Sequence, residues 1–239
     1  MTRPPALVAA SHGTSSAEGQ RAVAALVDGV RHAAPDLVVA DAFVDVQQPD
    51  VASVLDSIRA EHDAVIVPLL LSAGYHVHVD LARDVAGASG AVTLGGALGP
   101  DDRLVDVLGE RLREAGLRDD DRVVLAAAGS SDARAVADCR DVARRLARRL
   151  GRPVAVGFLS AARPALADAI ARTRATHPVS RVVAASYLLA PGYFHDLAVA
   201  AGATVTTEPL LRPDAPPPAG LVELVLDRYA EADALSRAA

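Results

Sequence analysis

Apolar, β-prone runs alternate with helical patterns along the whole chain, and this alternation limits the possible folds more than any other feature. The runs 6–11, 63–72, 122–128 and 180–189 are each followed by a segment with helical spacing. Strands that are apolar throughout are typical of parallel sheets covered on both faces. The sequence therefore predicts an α/β protein with eight strands and their intervening helices.

The two halves of the chain resemble each other. Residues 8–15 align with 124–131, residues 43–49 with 158–164, and residues 70–75 with 188–193, at offsets of 115 to 118. This spacing indicates duplication of one βαβαβαβα unit. We expect an N-terminal domain over 1–117 and a C-terminal domain over 122–239, with 118–121 as the linker. The spacing alone fits either two four-stranded sheets or a (β/α)₈ barrel.

Charge and residue usage exclude several classes of function. The net charge is −6, which argues against general nucleic-acid binding. The chain contains no lysine, which excludes a Schiff-base lysine and the phosphate-loop motif. Cys139 is the only cysteine, so one chain can form neither a disulfide nor a cysteine zinc site, and inert packing is expected for it.

The sequence also predicts where the protein resides. The first residues lack the apolar core of a signal peptide, and no apolar run approaches the length of a membrane helix. We therefore expect a cytoplasmic protein that binds no membrane, with a monomer weakly preferred.

The seven histidines fall into two groups. His32, His62 and His177 are predicted at helix C-termini, where a positive charge interacts favourably with the helix dipole. The other four, His12, His76, His78 and His195, come just after predicted strands. Ligands of open α/β sheets bind at the carboxyl ends of the strands. Two imidazoles that meet there, His12 and His76, can hold a metal ion or transfer protons. His78 is a secondary candidate.

Small and polar residues surround the two principal histidines. Ser11 precedes His12, and Gly13, Thr14 and Ser15 follow it ahead of a helix, so that their N–H groups and hydroxyls can either bind an anion or cap the helix. Gly74 suits a tight turn before His76.

Three further residues are candidates for the same site. Tyr75 can pack on a flat ligand or serve the fold. Asp80 can orient the imidazole of His76 from one helical turn away or simply stabilise the start of the helix. Asp45 ends the second predicted strand and can supply a third polar group.

The second half keeps the glycines and the tyrosine of these motifs but lacks both imidazoles. Ala128 stands at the position of His12, and Phe194 stands at that of His76. The simplest interpretation is one active site in the N-terminal half, with a catalytically silent second half that completes a cleft.

Three motifs, in order and at this spacing, resemble the class II tetrapyrrole chelatases, specifically the sirohydrochlorin chelatases of the CbiX/SirB type. They are Ser11-His12-Gly13, Phe43 through Pro49, and Pro68 through His76 with Asp80. The resemblance covers the first 115 residues closely and the second half in degenerate form. It implies two Rossmann-like lobes around an open cleft, and insertion of Fe²⁺ or Co²⁺ into sirohydrochlorin without ATP.

The resemblance also implies that His12 and His76 handle the metal. Asp45 stands where the family often has glutamate, so its carboxylate reaches one methylene less far. The metal would be a transient substrate, and no permanently bound cofactor is expected. Two alternatives remain at this point. One is a non-catalytic metal or tetrapyrrole binding protein. The other is a phosphohistidine enzyme, in which an arginine usually stands where this chain has Ser11.

Overall fold

The computed structural model describes residues 3–72, 81 and 91–238, and within these it contains two four-stranded parallel sheets. The strands of the first sheet lie in the order β2-β1-β3-β4, and those of the second in the order β6-β5-β7-β8. The strands of the first sheet are β1 Ala6–Ser11, β2 Val39–Phe43, β3 Ala64–Pro68 and β4 Val92–Leu94. Those of the second are β5 Arg122–Ala127, β6 Val154–Phe158, β7 Val182–Tyr187 and β8 Val205–Thr206. The prediction of two duplicated α/β sheets is confirmed, and the barrel alternative is wrong.

The described residues form seven helices that flank these sheets. They are α1 Ala17–Ala33, α2 Val51–Ile58, α3 Asp102–Glu114, α4 Ala133–Leu150, α5 Leu166–Thr176, α6 Tyr193–Ala200 and α7 Ala219–Ala238. Polar caps fix several of their starts: Ser16 accepts from the N–H of Gly19, and Asp50 accepts from that of Ser53. The helix expected over 78–88 lies outside the described residues except for the buried, helical Leu81. None of the described helices is long and apolar enough to cross a bilayer.

Alternation along the central strands divides the interior into three layers. Leu7 and Ala9 of β1 face a core shared by both sheets, whereas Val8 and Ala10 face a separate core beneath the first sheet. The second sheet repeats the pattern, with Leu125 in the shared core and Val124 in a third core on its own outer face. Both faces of each central strand are therefore covered, as the unbroken apolar runs predict.

The last helix of each half packs against the other half. Helix α3 contacts α4 and β7 of the second sheet, and α7 contacts α1, β3 and β4 of the first. The buried guanidinium of Arg111 on α3 donates to the carbonyl oxygens of Pro209 and Leu210, at 3.0 and 2.8 Å. Arg228 on α7 donates to the carbonyl oxygen of Ala97 at 2.9 Å. The domain bounds 1–117 and 122–239 stay a prediction. In the structure, the last helix of each of these halves packs against the other half.

The connection at 118–121 is fixed by a buried ion pair. The carboxylate of Asp121 is inaccessible to solvent and accepts two hydrogen bonds from Arg181, at 2.9 and 2.7 Å. It also accepts from the N–H of Arg118 at 2.8 Å. The Arg181 guanidinium lowers the pKa of Asp121, because it stabilises the charged form. Residues 118–121 thus join the halves as a hydrogen-bonded turn.

Candidate active site

The carboxyl ends of four strands open into one cleft between the two sheets. Its cavity volume is about 580 Å³, which lies in the range of small-molecule sites. The cleft is lined chiefly by the segments that follow β1, β3, β5 and β7, namely 11–14, 69–72, 127–131 and 187–194. The chain segments that leave β1 and β3 therefore meet those that leave β5 and β7 at one place.

His12 is exposed on the wall of this cleft, directly after the buried Ser11. Its carbonyl oxygen accepts a hydrogen bond from the N–H of Asp45 at 3.1 Å. Gly13 follows with φ +89°, and a Cβ there would collide with the carbonyl oxygen of Asp45. Only glycine fits this position without displacing the neighbouring loop, so Gly13 fixes the backbone that carries His12.

The donors after Gly13 are largely used within the loop itself. The N–H of Thr14 donates to Oε1 of Gln47 at 2.9 Å, and the N–H of Ser16 donates to Oγ1 of Thr14 at 3.1 Å. Ser16 in turn caps α1. Ser11, Gly13 and Thr14 line the cleft, whereas Ser15 is exposed and lies outside its lining. Helix capping accounts for most of this motif, and an anion would compete with Gln47 for the Thr14 N–H.

The backbone of Asp45 is hydrogen-bonded to that of His12, but Asp45 does not belong to the cleft lining. Its side chain is exposed, and Oδ1 accepts from the N–H of Val46 at 2.8 Å. Val46 has φ +59°, and this left-handed turn brings Gln47 back to the cleft. Among the residues that the structure describes, no three His, Cys, Asp or Glu side chains are grouped as a metal site. The role of Asp45 as a ligand stays a prediction.

Five predicted site residues, Gly74, Tyr75, His76, His78 and Asp80, lie outside the described residues. The chain ahead of them is hydrogen-bonded to the end of β1: the N–H of Leu69 donates to the carbonyl oxygen of Ala10 at 2.8 Å. Leu71 and Ser72 then line the cleft wall. The proximity of His12 and His76 therefore also stays a prediction.

The second half repeats the backbone of the His12 loop without its chemistry. Gly129 has φ +92°, and a Cβ there would collide with the carbonyl oxygen of Ser160, just as one at Gly13 would with that of Asp45. The N–H of Ser160 donates to the carbonyl oxygen of Ala128 at 2.9 Å. An alanine and a serine thus stand where the first half has His12 and Asp45. This is consistent with a single active site.

Sequence reasoning did not single out several residues of the cleft lining, among them Gln47 and Tyr187. Tyr187 is only 2% exposed, and its hydroxyl donates to the carbonyl oxygen of Leu71 at 2.7 Å, joining the second sheet to the segment after β3. Burial raises the pKa of Tyr187 well above its usual value. The sequence did carry a signal for Tyr187, since a single tyrosine stands at the end of an otherwise apolar strand.

Cys139 on α4 is buried and also lines the cleft. Burial raises the pKa of its thiol to about 11. The thiol is thus protonated at neutral pH, in keeping with the expected packing role.

The sequence model of the CbiX family matches residues 6–115 and 122–205 of this chain. No functionally curated protein matches it at a significant level.

Among solved structures, it is similar to SirB from Bacillus subtilis with Fe³⁺, with a TM-score of 0.82, 20% identity and 98% of both chains covered. It is also similar to the sirohydrochlorin chelatase SirB from Bacillus subtilis subspecies spizizenii in complex with cobalt, with a TM-score of 0.73 and 18% identity over 98% of this chain and 97% of that one. A third similar structure is CbiX, the terminal enzyme for biosynthesis of siroheme in denitrifying bacteria, with a TM-score of 0.64 and 21% identity over 95% of this chain and 99% of that one.

Proposed function

Because the chain belongs to the CbiX family, we propose that it is a metal chelatase that inserts Fe²⁺ or Co²⁺ into sirohydrochlorin or a closely related tetrapyrrole. The reaction needs no ATP and serves siroheme or cobalamin biosynthesis. Two of the similar structures hold iron and cobalt, respectively. The observation that carries the proposal is the exposed His12 on the wall of the cleft between the two sheets.

The metal ion is a substrate in this proposal. A hydrated divalent ion must lose waters before it enters a ring of four nitrogens, and a neutral imidazole can replace some of them. Imidazole nitrogen suits both Fe²⁺ and Co²⁺. We assign this role to His12, with His76 and Asp45 as its proposed partners. Few protein ligands leave coordination positions open, so the ion can move on into the macrocycle.

Two pyrrole protons must also leave the macrocycle during insertion. An imidazole can accept a proton near neutral pH, and the proposed pair His12 and His76 supplies two such groups. Solvent reaches the exposed His12, so a proton accepted there can pass to water. The buried thiol of Cys139 is unsuited to this task, because its raised pKa keeps the proton in place.

Apolar and polar groups occupy different parts of the cleft. Apolar residues dominate the segments after β3 and β7, where Leu70, Leu71, Leu188 and Leu189 line it. Hydroxyl groups lie at its two loop ends, on Thr14 and on Ser130 with Ser131. This pattern suits a flat ring with apolar faces and polar arms at its edge.

Incubation of the protein with sirohydrochlorin and either ion, followed by absorption spectroscopy, tests the proposal. A chelatase converts many equivalents of tetrapyrrole to the metallated form, faster than the same mixture without protein. A non-catalytic binding protein would shift the tetrapyrrole bands at once and stop at one equivalent. The second result would exclude catalysis.

A further inference from the structure

Two aromatic side chains are exposed at the start of α6, where they line the cleft. Tyr193 is 70% exposed and Phe194 is 37% exposed, and both belong to the cleft lining. The chain has only four tyrosines, three phenylalanines and no tryptophan. The two neighbouring rings thus form an exposed apolar patch beside the cleft, which is the kind of surface that binds ligands.

The two rings hold each other in a defined arrangement. Their centroids are 5.7 Å apart and their planes meet at 70°, an edge-to-face contact. They are carried by the first turn of α6, which follows Gly192 at φ +147°. The pair therefore forms an ordered apolar platform.

This platform lies next to the loop that carries His12. A Cβ built on Gly192 would lie 3.1 Å from Oγ1 of Thr14, and one on Gly19 would collide with the carbonyl oxygen of Pro191. The segment 191–192 thus packs directly on the loop after β1 and the start of α1. A ligand held by the platform would lie beside the proposed metal-delivering imidazole.

We propose that Tyr193 and Phe194 bind one face of the tetrapyrrole by ring contact and so position it for metal transfer from His12. This inference rests on the proposed function and assigns a different role to each half. The first half handles the metal, and the second half holds the macrocycle. Phe194 stands at the sequence position that corresponds to His76, so the second half has a phenyl ring where the first half has an imidazole.

Binding of metal-free sirohydrochlorin, measured by absorption titration, tests the platform. In the double variant Tyr193→Leu/Phe194→Leu, which keeps apolar bulk but removes both rings, Kd should rise about tenfold, the ratio that 1.4 kcal/mol of ring contact gives. Val199→Ala, on the same helix, 57% exposed and outside the cleft lining, is the matched control and should bind like the parent.

A second readout separates a positioning role from a general defect. The double variant should raise KM for sirohydrochlorin while its affinity for Co²⁺ alone, measured by calorimetric titration, stays at the parental value. His12→Ala should show the reverse pattern, with weaker Co²⁺ binding and unchanged tetrapyrrole affinity. Parental tetrapyrrole affinity in the double variant would overturn the platform and leave the proposed function standing. A double variant that keeps the parental affinity but sediments differently from the parent would also overturn the platform. The aromatic pair would then be a contact between copies of this chain. A parent protein that binds no sirohydrochlorin would overturn both.

Discussion

The hydroxyl of Tyr187, at the end of the second sheet, donates to the carbonyl oxygen of Leu71 in the first half, across 2.7 Å. Tyr187 is buried, and a Cβ on Gly99 would collide with both of these oxygens. This hydrogen bond lies at the cleft and joins the halves where the chain leaves β3.

Tyr187→Phe should destabilise the protein by about 1 kcal/mol, because it removes the donor to the partly buried Leu71 carbonyl. Urea unfolding measures the effect. Tyr193→Phe removes an exposed hydroxyl instead and should change the free energy of unfolding by less than about 0.5 kcal/mol. Equal stabilities for Tyr187→Phe and the parent would show that the hydrogen bond contributes nothing.

Stability should fall at alkaline pH in a way that depends on the buried Tyr187 and the partly buried Tyr229. Burial raises the pKa of Tyr229 from 10.0 to about 12, and that of Tyr187 also rises above 10.0. A group whose pKa is higher in the folded state stabilises it fully below the unfolded value, and this contribution is lost as pH rises through the folded value. The free energy of unfolding should therefore decline above pH 10.

Urea titrations at a series of pH values above 10 can assign this decline. The slope should be shallower in Tyr187→Phe than in the parent, since the variant lacks one tyrosine that ionises on unfolding. Identical slopes in the two proteins would rule out the contribution of Tyr187.

We expect Arg111 to hold α3 against the second half. Its buried guanidinium donates to two carbonyl oxygens, of Pro209 and Leu210, and pairs with Glu114 at 2.9 Å. Arg111→Met should lower the free energy of unfolding by about 3–5 kcal/mol, because it leaves both carbonyl oxygens buried without a donor. Arg113→Met, on the same helix but exposed, is the control and should cost less than about 0.5 kcal/mol. Thermal unfolding compares the two, and equal losses would mean that α3 is not held by Arg111.

Gly13→Ala should destabilise the protein more than an ordinary glycine substitution. A methyl group at φ +89° is strained and would also collide with the Asp45 carbonyl oxygen, which suggests a loss of about 2–4 kcal/mol. Gly151 has φ +64° with open space around it, so Gly151→Ala isolates the backbone strain and should cost only about 1 kcal/mol. Chemical denaturation of both variants measures the difference. If both lose the same amount, the close approach to Asp45 has no energetic role.

Local patterns in the sequence predicted most of the architecture. The apolar runs located the central strands β1 and β5, because a strand buried on both faces leaves few alternatives. The alignment of residues 8–15 with 124–131 paired Gly13 with Gly129, and the structure gives both a positive φ.

Other features depend on contacts far apart in the sequence and could not be predicted in this way. The apolar face of α3 is visible in the sequence, but nothing local shows that it packs on the second sheet. The sequence predicts a second strand that reaches Asp45, whereas β2 ends at Phe43 and Val46 turns to φ +59°. That turn brings Gln47 to the cleft. The exposure of both rings at 193–194 is likewise seen only in the structure.

Metal insertion by His12→Ala, compared with His177→Ala, tests the central claim most directly. His177 caps the C-terminus of α5 and lies outside the cleft lining, so its variant should form metallated sirohydrochlorin at the parental rate. Loss of a metal ligand and proton acceptor at His12 should lower that rate at least about 100-fold while circular dichroism stays unchanged. Insertion by His12→Ala at the parental rate would contradict the assignment of the active site to the N-terminal half.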